Sequence, residues 1–263
     1  MTERAETINQ IMLLYRQRTQ ILQAEIRLGN QLKALERWQT GKLVGKRKEV
    51  MTEEQIEFAR LVVADVNPIL EPAEKAWRKD RKRLERDMEK LVKEFPVWSW
   101  VESVRGIGPL GLACIIGACG DLSKYSGPSK MWKRMGLAVI DGERQRRIAG
   151  TNAEKTALAI LHGFSPTRRA LAFVLSECLL KQNKGEYRQL YDERKEYELE
   201  RLPEDAKGRK AWAHRRALRY MIRRFLLHLW CTWNGKPLSL AQQQAEHQCV
   251  ASHAGAAPPP PMV

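Results

Sequence analysis

VESVRGIGPLGLACIIGACGD, residues 101–121, decides how the rest of the chain is read. Gly106-Ile107-Gly108 stands between two apolar helical patterns, and Pro109 sits where the second helix would begin. Glycine permits φ > 0 and close approach of backbone to a ligand. Proline suits the first helical turn, which needs no intrahelical N–H donor. The segment therefore predicts a helix-hairpin-helix with Ile107 turned inward to pin the turn to a core. The unbonded N–H groups and the positive dipole end of the second helix would face outward together, an anion site that fits a DNA phosphate. Such a contact positions a protein on DNA without reading bases. The same pattern also describes an ordinary packing corner between two helices, and the charge of the whole chain weighs against that plainer reading.

That charge is large. The 263 residues carry a formal net charge of +15 and are 43% hydrophobic and 29% charged. The chain can bury a core, and its positive potential selects polyanions as partners. DNA is the expected partner, with RNA as an alternative; a membrane is not expected. No run of about 18 apolar residues occurs, and the start, MTERAETINQ, lacks the basic and apolar regions of a signal peptide. The cysteines Cys114, Cys119, Cys178, Cys231 and Cys249 are odd in number and form no CxxC pair. They read as small core residues of a reduced, cytoplasmic protein. No His or Cys spacing suggests a metal site, Asp121 reads as a helix cap, and no cofactor is expected.

Upstream of the hairpin, Ile8, Met12, Tyr15, Thr19, Leu22, Ile26 and Gly29 recur in alternating steps of four and three, a coiled-coil seam. GKLVGKRK, residues 41–48, is a basic, glycine-broken turn. A second helical stretch follows, interrupted by Pro68 and Pro72, and then a seam of Trp77, Leu84, Met88, Leu91 and Phe95 that stops at Pro96. Residues 1–96 are thus expected to form an antiparallel helical stalk, through which copies of the chain could also associate. Residues 97–240 are expected to form a DNA-binding domain, and 241–263, rich in Pro, Ala and Gln, a disordered tail. Strand signals are scarce. Leu137 to Ile140 could pair with the stretch around Arg147 and Ile148 across Asp141-Gly142. The expected fold class is all-α with one short β-hairpin.

Between Ala206 and Ala245 there is no acidic residue, against nine Lys and Arg. Leu218, Ile222, Phe225, Leu226, Leu229 and Trp233 share one helical face, which should dock on the core. Arg216, Arg219 and Arg223 flank that face as candidate phosphate contacts. Arg144, Arg146 and Arg147 on the predicted turn form a second basic cluster, and Arg168 and Arg169 open the apolar helix RRALAFVLSECLL. Each of these five reads equally as a phosphate contact or as surface charge.

Taken in order, the blocks resemble the insertion-sequence transposases of the IS one-ten type, the bridge recombinases. The resemblance covers residues 101–233: GIGP at 106–109, GDLSKY at 120–125, MWKRMGL at 131–137, the Arg168-Arg169 helix, Tyr187 to Tyr191, and RRFLL at 223–227. The stalk is similar in type to the family's coiled-coil linker. What the resemblance implies is a DNA-binding protein of transposition or recombination. Two departures qualify it. Family members begin with a RuvC-like nuclease domain, where this chain reads as helical stalk. They also place a serine nucleophile shortly after the glycine–apolar block, where this chain reads AVIDGERQRR, 138–147, without a serine. Aspartate cannot form the phosphoserine link that the chemistry needs. No catalytic residue is transferred, and the chain is expected to be non-catalytic alone. The competing readings are a subunit catalytic only beside a separate RuvC-like chain, and a purely structural coiled-coil protein.

Overall fold

The computed structural model describes residues 3–39, 52–150 and 152–237. The basic turn at 41–48 and the tail at 241–263 lie outside the described residues. In chain order the elements are α1 (Glu3–Gln39), α2 (Glu53–Val92), α3 (Trp98–Ser103), α4 (Pro109–Cys119), a 3-10 turn (Leu122–Lys124), α5 (Pro128–Arg134), β1 (Val139–Ile140), β2 (Glu143–Arg144), α6 (Ala153–His162), α7 (Pro166–Lys181), α8 (Glu186–Arg201) and α9 (Arg209–Trp233). The fold is all-α with one two-stranded hairpin. No helix among the described residues is long and apolar enough to cross a membrane.

Contacts divide the chain at Met12 and Met88 instead of at residue 96. Leu13–Met88 forms one unit, and the first turns of α1 join the chain from Glu89 onward in the other. In the first unit α1 and α2 run antiparallel, as two ion pairs show: Arg18 to Glu85 at 2.8 Å and Arg81 to Glu25 at 2.6 Å. Arg81 also reaches Glu85 at 3.0 Å. Burial works against the Arg81 charge, yet Glu25 and Glu85 together hold its pKa above the ordinary guanidinium value.

This network corrects the seam. Around α1's seventh turn the inward face carries Glu25 and Leu28, and Ile26 is 54% exposed. A strict heptad drifts against the 3.6-residue helical repeat, so four-three counting steps off the buried face within a few turns. Trp77 is likewise exposed, whereas Leu84 and Met88 are buried as expected. In the body, Val92 takes the buried place expected for Leu91. Pro68 and Pro72 do not interrupt α2, which is continuous through both. Each ring removes one ladder bond, but both prolines lie on the exposed face, where the carbonyl left over meets water.

In the body, α4 is buried from Leu112 to Cys119 without a break, so its sequence is apolar all round. α9 packs on α8, α7, α5 and the 3-10 turn. Its side chains Met221, Phe225, Leu226 and Leu229 are buried, and Phe225 stacks on Trp100 at 5.9 Å. α8 lies along α9 through polar pairs: Tyr187 Oη to His228 Nδ1 at 2.8 Å and Tyr191 Oη to His214 Nδ1 at 2.7 Å. Asp121 caps the 3-10 turn by accepting from the Ser123 N–H, and it also accepts from Trp233 Nε1.

The β-hairpin pairs Ile140 with Glu143 and Val139 with Arg144, not with residues 147–148. Asp141 and Gly142 both have positive φ, 50° and 76°. A two-residue turn of that kind sets the register to its immediate neighbours, and the strands end there. Gln145 is then buried beyond β2 and clips three segments together. Its Nε2 donates to the carbonyls of Lys133 and His162, and its Oε1 accepts from the Ala138 N–H.

Two outcomes follow for stability. Arg81→Ala leaves the largely buried Glu25 without its partner and Glu85 with Arg18 alone, and should cost on the order of 1–3 kcal/mol in denaturant unfolding. Ile26→Lys should stay within about 0.5 kcal/mol of the parent. The second outcome concerns His228, whose pKa is lowered by burial first and by Arg224 next, against the opposing pull of Glu186. The unfolded chain then binds more protons near pH 6 than the folded one, so stability rises with pH there and falls on acidification below about 6.5. Thermal melts of the parent and of His228→Gln between pH 5 and 7.5 check this; the glutamine variant should show the shallower slope.

Candidate nucleic-acid interface

α9 exposes arginine on the flank of its buried face, and α7 lies against that flank. Between them, under β2, is a recess of about 150 Å³. Five guanidinium side chains line it: Arg144 from β2, Arg169 from α7, and Arg215, Arg216 and Arg219 from α9. Its apolar wall is Ala172, Phe173, Leu218 and Ile222. The hairpin turn aims Arg144 here, because the tight 141–142 connection makes it the last paired residue of β2.

The five arginines are not equivalent. Arg216 donates to Glu198 at 2.7 Å. Glu198, only 4% exposed, also takes Arg194 from its own helix. Burial would raise the Glu198 carboxyl, but Arg216 and Arg194 prevail and hold it below the usual range. Arg219 donates to the carbonyls of Leu137 and Ala138, both at 2.7 Å, tying α9 to the strand before the turn. For Arg144, Arg169 and Arg215, no carboxylate among the described residues lies within ion-pair distance; Glu143 pairs with Arg146 at 3.0 Å instead. Burial, and then the neighbouring Arg144, push the Arg169 pKa down. A half-buried cation beside a like charge is costly until an anion arrives.

The structure thus gathers Arg144, Arg169, Arg216 and Arg219 and distributes the other candidates elsewhere. Arg168 is a clamp, with Nε donating to the Arg134 carbonyl at 2.7 Å and Nη2 to the Gly163 carbonyl at 3.4 Å. Arg223 lies over the Trp132 ring at 4.0 Å. Arg146 and Arg147 are exposed beyond β2. Arg215 was not among the residues singled out, although its i, i+4 spacing to Arg219 puts both on one helical side. Glu198 had no local signal at all, since it reaches α9 from another helix.

The Gly106-Ile107-Gly108 hairpin joins α3 to α4 with Ile107 buried, as expected. Its glycines differ. Gly106 has φ +97°, and a Cβ there would stand 2.6 Å from the Cys178 carbonyl oxygen. It is a close-packing glycine against the C-terminal end of α7. Gly108 has φ −85° with open space around it, so the expectation of φ > 0 holds for Gly106 alone. Cys178 is nine residues beyond Arg169, about 13 Å along α7, and the recess follows α7 from Arg169 as far as Ser176. None of Gly106, Ile107 and Gly108 lines the recess.

Gly106→Ser should therefore lower stability by more than about 1 kcal/mol. Gly108→Ser, at the N-cap of α4, should be neutral or stabilising by a few tenths of a kcal/mol. Chemical denaturation of both variants measures the difference, and equal losses would contradict the geometry. No family model, curated protein or solved structure matches the chain, so its functional reading rests on the arginine site and on the sequence blocks around it.

Proposed function

We propose that the chain is a nucleic-acid-binding protein of DNA transposition or recombination, which grips the phosphate backbone and does not cut DNA by itself. The observation that carries this reading is the recess whose Arg144, Arg169 and Arg215 have no carboxylate partner among the described residues. Arginine forks match phosphate geometry bidentately, and the net charge of +15 brings a polyanion to them. The transposition context is supported by the order of the blocks from GIGP at 106–109 to RRFLL at 223–227, which resemble the bridge recombinases. The place of that family's nucleophile is taken here by Asp141 in a hairpin turn, which supports binding without strand cleavage.

Duplex DNA binding measured by fluorescence anisotropy across a salt series tests the reading. Log K should fall with log salt at a slope near −0.9Z, with Z about 4–8. Arg144→Ala and Arg215→Ala, both at exposed positions, should each shallow the slope by about 0.9. Arg83→Ala, on the stalk, should leave it unchanged. Incubation with Mg²⁺ should return the DNA uncut and without a covalent adduct. A flat salt response would remove the proposed function.

A further inference from the structure

The recess has two chemically different walls. One is the guanidinium rim, and the other is apolar, with Ala172, Leu218 and Ile222 buried behind it and Phe173 at its edge. Phe173 is 50% exposed, on the outer side of α7. Its side chain lines the space that the arginines border. Duplex DNA carries its phosphates on a convex surface and keeps its bases inside. A duplex can touch the rim, but it leaves the apolar wall empty. A nucleotide whose base is out of the stack has an anion at one end and a flat apolar face at the other, and it can fill both walls. Aromatic rings beside cations are the usual support for unpaired bases, because every base has a π-face to stack.

We propose that this recess holds one unpaired nucleotide of a nucleic-acid strand, with its phosphate on Arg144, Arg169 and Arg215 and its base against Phe173. The proposal rests on the nucleic-acid reading above and narrows it. The ligand is a single strand, a strand end or a looped-out base, and the duplex backbone alone is not the full ligand. Arg216 and Arg219 act as positioning residues. Their bonds to Glu198 and to the Leu137 and Ala138 carbonyls hold the rim in shape.

The test uses the full chain and labelled 20-nucleotide probes: oligo-dT, oligo-U and a blunt duplex, each at constant salt. Phe173→Ala should weaken oligo-dT or oligo-U binding about 5- to 150-fold, the range of one lost base–aromatic stack, with duplex binding within about twofold. Phe173→Tyr should restore single-strand affinity, because it keeps the ring. Whichever of the DNA and RNA strands loses more identifies the source of the nucleotide. Thermal melting of each variant confirms folding, which a half-exposed side chain should not disturb. If Phe173→Ala binds both single strands like the parent while Arg144→Ala still weakens the duplex, the nucleotide pocket is refuted and the nucleic-acid reading survives. If no probe binds at physiological salt, both fall together.

Discussion

The body of this protein depends on α9 being buried along most of one side while its flank stays cationic. Met221, Phe225, Leu226 and Leu229 anchor the helix in the core. Once that face is committed, the orientation of Arg215, Arg216 and Arg219 is no longer free, because a helix turns its side chains through fixed angles. The other elements pack to this helix. α8 zips along it with Tyr187–His228 and Tyr191–His214 pairs, α5 rests on it through Trp132, and the 3-10 turn contributes Asp121 to Trp233.

Arginine serves two purposes around that helix, and its partners tell them apart. Some guanidinium groups finish the backbone accounting that irregular segments leave open. Arg168 caps carbonyls at the ends of α5 and α6, and Arg219 takes two carbonyls beside β1. Buried carbonyls need such partners, and the long reach of arginine supplies them where no helix or strand can. Other guanidinium groups find no carboxylate among the described residues and crowd one another instead, and the Arg169 pKa is lowered by burial first and by Arg144 next. Crowding of like charge beside an apolar wall does not serve stability. It is the arrangement expected of a site whose counter-charge comes from outside.

The α3–α4 hairpin illustrates the same distinction among glycines. Gly106 is required by packing, since α7's Cys178 carbonyl occupies the space where a side chain would begin. Gly108 is required by nothing within the body. An open, extended residue at the start of a helix leaves the following N–H groups uncovered, and it is this residue, not its neighbour, whose environment is free to meet a ligand.

Local pattern by itself determined the all-α class, the place of the helix-hairpin-helix, the buried Ile107, the apolar face of α9 and the two-residue turn at Asp141-Gly142. Each of these depends on spacing within a few residues, where helical periodicity and turn chemistry act directly. What local pattern misjudged were features decided by a neighbour across the fold. Ile26 lost the seam to Glu25 because Arg81 stands opposite. Pro68 and Pro72 failed to break α2, because a helix packed along one side tolerates a lost bond on the other. Tertiary structure alone decided which arginines came together. Arg144 and Arg169 are 25 positions apart and Arg215 lies another 46 along the chain; a long-range convergence of like charges leaves no trace in any short window, since only packed helices bring those side chains to one recess.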